Sequence, residues 1–302
     1  MRRTRADRRA VDGILLLDKP QGLTSNAALQ QVKRLYNAAK AGHTGSLDPI
    51  ATGMLPICFG GATRVSGHLL EADKSYRAVA RLGVRTSTGD SEGEVIATSA
   101  PATLQRSDLE AVLEQFRGRQ MQIPPMYSAI KHQGQALYRL ARQGLEVERK
   151  AREVTIHSLQ LNAFDAEGFE IEMRCSKGTY VRTLVEDIAA AVGQCAHLVA
   201  LRRTELGGFD ASRMVSLDAL AALDSERARD ALLLPVATAV TDWPQVVADP
   251  ARTFYLSRGQ AVHFAEAPEQ GRVAVLDRDG QVLALAEIDD EGRVAPRRWL
   301  AG

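Results

Sequence analysis

No stretch of the 302-residue sequence approaches the roughly 18 consecutive apolar residues of a membrane-spanning helix, so no membrane association is expected. Cysteine is scarce: Cys58, Cys175 and Cys195 lie far apart and are odd in number. That argues against a disulfide framework and against a zinc knuckle, fits a reducing cytoplasm, and leaves the three thiols as buried filler. The six histidines, His43, His68, His132, His157, His197 and His263, show no metal-ligand spacing, so no metal is expected. A G-x-S-x-G elbow, a G-x-x-x-x-G-K phosphate loop and a G-x-G-x-x-G fingerprint are all missing. Internal repeats and low-complexity tracts are missing too. Lysine is rare: seven of the 38 basic residues are Lys and 31 are Arg. Arginine forks onto phosphate and stacks on bases, which suits an RNA partner, although genomic base composition would produce the same bias.

What is present describes an ordinary globular chain. Apolar residues make up 45% and charged residues 25%, enough for a sizeable core, and the length suggests one large unit plus one small one. The net charge of +1 hides a gradient: residues 1–40 carry nine Lys or Arg against three Asp, and residues 213–250 carry three Arg against six acids. The first residues, Met1-Arg2-Arg3-Thr4-Arg5-Ala6-Asp7-Arg8-Arg9, form a basic run without the apolar stretch of a secretory signal. Residues 1–10 are expected to be a disordered arm, either a solvated terminus or a contact for phosphates.

Gly13 to Leu17 reads as a buried strand, and Thr24 and Ser25 cap a helix with Leu29, Val32 and Leu35 on one face. From Gly42 to Gly61 glycines and prolines predict a long structured loop rather than an element. Tyr76 to Leu82 alternates as a strand does, Ser107-Asp108-Leu109-Glu110 reads as a capping box, and Glu170 to Cys175 is a strand before a helix over Thr183 to Val192. Between Pro125 and Arg152 lies a basic segment, read as a mobile insertion with a short helix at Ala136 to Leu140. Composition shifts near Asp242-Trp243-Pro244. Beyond Pro250, Val273 to Leu276 and Val282 to Leu285 flank Arg278-Asp279-Gly280 as a hairpin, and the tail is expected to be a small β-barrel module leaning on its neighbour.

Read alone, Asp48-Pro49 is a turn dipeptide, His43 a loop hydrogen-bonder, Tyr76 a core residue and Arg182 a surface charge. Read in order, the segments resemble a known family. They are Leu17-Asp18-Lys19-Pro20-Gln21-Gly22, Gly42-His43-Thr44-Gly45-Ser46-Leu47-Asp48-Pro49-Ile50-Ala51-Thr52-Gly53 and Asp73-Lys74-Ser75-Tyr76. Pro124-Pro125-Met126-Tyr127-Ser128-Ala129-Ile130-Lys131, Lys177-Gly178-Thr179-Tyr180-Val181-Arg182 and Leu201-Arg202-Arg203-Thr204 complete the set. Together they resemble the TruB family of tRNA pseudouridine synthases, which make the pseudouridine of the TΨC loop. The likeness runs collinearly over about residues 11 to 300. Ser46 stands where alanine or threonine is more usual, and Gly61 where an acid is common.

The resemblance implies an α+β fold: a pseudouridine synthase core with a mixed, largely antiparallel sheet flanked by helices, over residues 11–245, and a small β-rich PUA-like domain over 250–302. It implies an isomerase that flips uridine 55 out of the tRNA T arm and rejoins the base through carbon. Asp48 would be the catalytic carboxylate, with Arg182 beside it, Tyr76 stacked on the base and Leu201 closing the apolar wall. His43 would fill the vacated base stack. Lys19, Lys131, Arg139 and Arg142 would serve RNA binding, Lys19-Pro20 chiefly by packing against the active-site loop, and the insertion at about 124–152 would close over the bound arm. Arg293, Arg297 and Arg298 are candidates for phosphate contacts, or a solvated surface.

The reaction changes no oxidation state, so no cofactor is expected, and no obligate protein partner is evident; a cytoplasmic monomer acting on tRNA follows. Cleaving a glycosidic bond asks for a carboxylate at the anomeric carbon. Asp48 would act as nucleophile at C1′ or as base at C2′; either role needs its ionised form, which a neighbouring Arg favours. Two rivals remain: a non-catalytic RNA-binding or RNA-folding protein on the same scaffold, and an Asp-dependent hydrolase. The hydrolase would need a second acid, and none sits in the matched segments.

Overall fold

The computed structural model describes residues 8–100 and 103–300. β1 (Gly13–Lys19) leads into α1 (Ser25–Leu35), whose first turn is capped by the Thr24 hydroxyl accepting from the Ala27 amide. β2 (Ala41–His43) and β3 (Thr52–Phe59) bracket the Asp48 loop. α2 (Ser66–Glu71), β4 (Lys74–Leu82) and the hairpin β5 (Val84–Thr86) and β6 (Val95–Thr98) follow, then α3 (Arg106–Gln115) and β7 (Gly118–Gln122). The basic segment carries β8 (Lys131–His132), β9 (Gln135–Ala136) and α4 (Leu137–Ala141). β10 (Arg152–Phe164), β11 (Gly168–Cys175), α5 (Val181–Ala191) and β12 (Ala196–Leu206) complete the main sheet apart from β13 (Val215–Ser216). α6 (Leu217–Ala221) and α7 (Glu226–Asp230) lead on to β14 (Gln245–Val247), α8 (Pro250–Ser257), β15 (Arg272–Leu276), β16 (Val282–Ile288) and β17 (Val294–Trp299).

The main sheet runs β13-β1-β3-β12-β4-β11-β10-β7, with β2 paired to β3. Its pairings are antiparallel except β1 with β13 and β3 with β12, so the expected mixed, largely antiparallel α+β architecture is what forms. β1 is apolar without alternation because both its faces are covered. Leu15 and Leu17 pack with residues of α1, α3 and α5, whereas Ile14 and Leu16 pack with Met54 and with Leu276 and Leu285 of the C-terminal strands. The four-stranded sheet β14-β15-β16-β17 therefore shares a core with the larger unit, while its other face packs on Leu256 of α8 and Phe264.

Several details depart from the sequence reading. The expected long loop at 42–61 contains β3, because burial of Met54, Leu55, Ile57, Cys58 and Phe59 outweighs the local turn preferences of Gly53 and Pro56. Gly53 has φ +95°, and a Cβ there would stand 2.2 Å from the Arg203 carbonyl oxygen, so only glycine lets β3 approach β12. The capping box of α3 starts two residues earlier than expected: Asp108 accepts from the Gln105 amide at 2.8 Å. The expected arm over 1–10 does not include Arg9, which bridges to Ala38 and pairs with Glu226 and Asp230; residues 1–7 lie outside the described residues. The C-terminal unit is a four-stranded sheet rather than a barrel and begins before Pro250, since β14 pairs in parallel with β15.

Because the two units share apolar contacts, thermal unfolding should give one transition, and Leu285→Ala should weaken that same transition by roughly 2–3 kcal/mol. Calorimetry checks this: a separate low-temperature transition, moved alone by the substitution, would contradict the shared core.

Candidate active site

The loop between β2 and β3 is held from below. Ser25, buried at the start of α1, exchanges two hydrogen bonds with Leu47: its hydroxyl donates to the carbonyl at 3.0 Å and accepts from the amide at 2.7 Å. The Gly22 amide donates to the Pro49 carbonyl at 2.8 Å, and the Ala51 amide to that of Asp48 at 3.0 Å. Lys19 has no exposed surface; its ammonium donates to the carbonyls of Leu23 at 2.7 Å, Pro20 at 2.9 Å and Pro49 at 3.5 Å. Asp48 thus sits on a backbone fixed from three directions.

Arg182 enters from the opposite side, in the first turn of α5. The turn before it is pinned to β7: the Tyr180 amide donates to the Gln122 side chain at 2.7 Å, and that side chain donates to the Tyr180 carbonyl at 3.1 Å. The guanidinium is almost entirely enclosed. It donates to the carbonyls of Thr88 at 2.7 Å and Tyr127 at 2.8 Å, lies 3.0 Å from Asp48 Oδ2 and 3.6 Å from Asp90 Oδ2. Asp90 is itself buried, its other oxygen accepting from the Thr88 hydroxyl and the Glu92 amide. Sequence reasoning missed it. It stands in a turn, Thr88-Gly89-Asp90, where Asp is ordinary, and nothing local marks it as a partner of Arg182. It is also the second acid that the matched segments lacked. With no open face and every oxygen engaged, it is no base for an attacking water.

Asp48 differs from Asp90 in access: 42% of its side chain is exposed against 4%. It opens into a cleft of about 330 Å³. Tyr76 and Leu201 form one wall, Tyr127 to Ala129 another, and Gly178 to Val181 a third, with Lys74 and Arg203 at the back. The expected set Asp48, Tyr76, Arg182 and Leu201 therefore does converge.

Burial pushes the Asp48 carboxyl above its ordinary range; Arg182 pulls it down and the charge of Asp90 pushes it up again. Arg182 favours the ionised form as expected, but burial outweighs it, and Asp90, with which the guanidinium is shared, adds to the rise. The Tyr76 phenol is also pushed up by burial, with Arg203 opposing.

The residues expected to meet RNA separate into two groups. Lys19 cannot touch a ligand, since it is fully buried under the Asp48 loop, and burial brings its ammonium down to about 8. His43 is half-buried on β2 opposite Ile57, with Nδ1 enclosed and unpartnered, outside the cleft lining. Lys131, Arg139 and Arg142 are exposed, the last two lying 5.9 and 5.6 Å from the Tyr138 ring centroid, on the segment that supplies Tyr127 to Ala129 to the cleft. Arg293 and Arg297 are already paired, with Asp289 and Glu287 at 3.0 Å each. Among the described residues no group of three His, Cys, Asp or Glu comes together as a metal site, and no helix is long and apolar enough to cross a membrane.

A cleft with one accessible carboxylate, a buried guanidinium holding it and an aromatic wall is equipped to act on an anomeric carbon bearing a flat base. Comparison with known proteins agrees in class. Residues 33–181 match the N-terminal domain of the TruB family pseudouridylate synthases, 182–241 the tRNA pseudouridylate synthase B C-terminal domain, and 244–300 the C-terminal domain of pseudouridine synthase II TruB. The chain is 53% identical over 296 residues to tRNA pseudouridine synthase B of Ectopseudomonas mendocina, covering 97% of this chain and 96% of the relative. It is 52% identical over 294 residues to that of Nitrosococcus oceani, covering 96% and 95%. In fold it is similar to a chain of a Cbf5-Nop10-Gar1 complex, with TM-score 0.76 and 23% identity over 99% of this chain and 88% of the other.

Because the charge of Asp90 raises the Asp48 carboxyl, Asp90→Asn should shift the Asp48 titration to lower pH. Carbon-13 NMR of labelled aspartate carboxyls reads this, and an unchanged or higher midpoint would contradict the shared-guanidinium arrangement.

Proposed function

The chain belongs to the TruB family of pseudouridine synthases, and from that premise we propose that it converts uridine 55 in the T arm of tRNA to pseudouridine. The observation that carries the reading is the accessible Asp48 carboxylate bonded at 3.0 Å to a guanidinium that solvent does not reach. A purely binding surface has no use for an enclosed guanidinium holding a carboxylate at the mouth of a cleft, which costs stability and adds no contact area.

The chemistry follows from the arrangement. The target base leaves the loop and enters the cleft, at a cost of about a few kcal/mol for unstacking. Tyr76 and Leu201 offer the apolar walls against which a uracil ring lies flat. Asp48 then meets the sugar, as nucleophile at C1′ or as base at C2′, while Arg182 holds its oxygens in place. The N1–C1′ bond breaks, the base turns, and C5 joins C1′. The bound RNA would have to keep water from the sugar, so that rejoining outruns hydrolysis to an abasic site.

The exposed bases of the 124–151 segment, Lys131, Arg139 and Arg142, are the natural contacts for phosphates around the entry, and Tyr138 between the two arginines offers a stacking face. His43, adjacent to the active-site loop and with protonation disfavoured by burial and by Arg203, is suited to occupy the stack that the base vacates. The C-terminal sheet acts as a PUA-like RNA-binding module beside a catalytic unit that ends near residue 245. A monomer acting on tRNA in the cytoplasm, without an obligate protein partner, completes the reading.

Purified protein, without added cofactor, should release tritium from C5-labelled uridine in a tRNA transcript, and replacing the uridine at position 55 should abolish release. Asp48→Asn should remove turnover while changing RNA affinity by less than about tenfold, or about 1.4 kcal/mol. Binding without release by the wild-type protein would point instead to an RNA-folding role.

A further inference from the structure

Arg203 is a second enclosed guanidinium of the cleft, with 1% of its surface exposed. Unlike Arg182 it meets no carboxylate among the described residues. Its Nε donates to the Met54 carbonyl at 2.6 Å and its Nη2 to the Gly45 carbonyl at 3.3 Å, and its charge acts on the Tyr76 phenol. Strand register puts it there. On β12, Arg203 lies opposite Tyr76 and Leu201 opposite Ala78 of β4, and on its other side Arg203 pairs with Gly53 of β3.

Enclosing a guanidinium without a counter-ion is costly, and a neutral side chain could bond two carbonyls without that cost. The charge also acts on its surroundings. Burial and Arg203 together disfavour protonation of Lys19 and Lys74, each brought to about 8, and of His43; against burial, Arg203 favours ionisation of Tyr76. The cleft is therefore polarised. Asp48 and Asp90 share one guanidinium at one end, and at the Tyr76 end a guanidinium stands without a carboxylate.

The reaction separates charge in the same sense. When N1–C1′ breaks, its electron pair goes to N1, and uracil leaves as an anion whose charge spreads over O2 and O4. C1′ meanwhile bonds to the Asp48 carboxylate, or C2′ passes its proton to it. When C5 bonds to C1′, Asp48 is released, or returns its proton to C2′. C5 then gives up its proton and N1 takes one, so atoms and electrons balance. We propose that Arg203 supplies, through its field at the Tyr76 end of the cleft, the positive potential that stabilises the departing uracil anion. The role is the same on either route at Asp48, because the base carries the pair away in both.

This inference rests on the pseudouridine synthase reading, and the test separates the two. Single-turnover consumption of the target nucleoside is measured in T-arm RNA carrying uridine or 5-fluorouridine at that position; fluorine makes the base a better leaving group. Wild-type protein inactive on uridine would defeat the reading itself. With active wild type, Arg203→Gln should slow uridine by about 100-fold and 5-fluorouridine by less than about tenfold, and Arg203→Lys should recover at least about tenfold on uridine. Equal losses on the two bases, or no loss, would overturn the proposal and leave Arg203 a structural tie.

Should Arg203→Gln not fold, Arg203→Lys decides. Burial disfavours the charged form of a lysine there as it does that of Lys74, with Lys74, Lys19, His43, Tyr76 and Asp48 as its titrating neighbours, so its rate relative to wild type should fall as pH rises from neutrality. A ratio independent of pH would overturn the proposal.

Discussion

Taking a guanidinium out of water is costly unless a carboxylate meets it, and at Arg182 two carboxylates do so, delivered by the chain from separate loops. The rest of the site is arranged around meeting it. β7 fixes the turn before α5 through Gln122, Ser25 and Lys19 fix the loop that carries Asp48, and the Thr88 hydroxyl and Glu92 amide fix Asp90. The carbonyls of Thr88 and Tyr127 take up other N–H groups of the guanidinium, so the 85–95 hairpin and the basic segment are both tied to the same side chain. Asp90 is enclosed and serves only the guanidinium; Asp48 keeps part of its surface open to the cleft. That difference in access gives two chemically identical groups different work.

The electrostatic consequences run through the cleft as a whole. Sharing Arg182 between two acids leaves Asp48 less stabilised than a private ion pair would, and burial raises its carboxyl further. A carboxylate held in this way is a stronger base and nucleophile than a solvated one, yet it must be ionised to act. Seven residues past the start of β12, Arg203 lies beside Tyr76 of the neighbouring strand β4 without a carboxylate of its own among the described residues. The cleft between the Asp48–Arg182 pair and Arg203 is the space in which a glycosidic bond would be pulled apart.

Parts of this were legible in the sequence. The apolar run at Gly13 to Leu17, the alternation from Tyr76, the junction before Arg182 and the C-terminal hairpin all became the elements their patterns predict. Their shared property is a local signal that tertiary packing reinforces. β3 was hidden because Gly53 and Pro56 announce turns, whereas the covering of both its faces is a long-range fact. Asp90 was hidden for a similar reason, since a turn aspartate gives no sign of a guanidinium 92 positions later. The roles read for Lys19 and Arg203 turned on burial, which single residues in a chain do not declare: one was expected to meet RNA and is sealed, the other had no role and stands at the back of the cleft. Asp48 itself was legible only in company, because alone it is a turn residue before a proline.

The central claim is that an ionised Asp48, with its carboxyl held above the ordinary range, is the group that acts on the sugar. The most direct measurement is the single-turnover rate of pseudouridine formation by the wild-type protein as pH is lowered from neutrality under conditions that keep the RNA bound. A raised carboxyl loses its active form as pH falls through it, so the rate should decline through one protonation with a midpoint above that of an ordinary aspartate. A rate that stays level down to the range of a free carboxylate, or that rises as acid is added, would contradict the account.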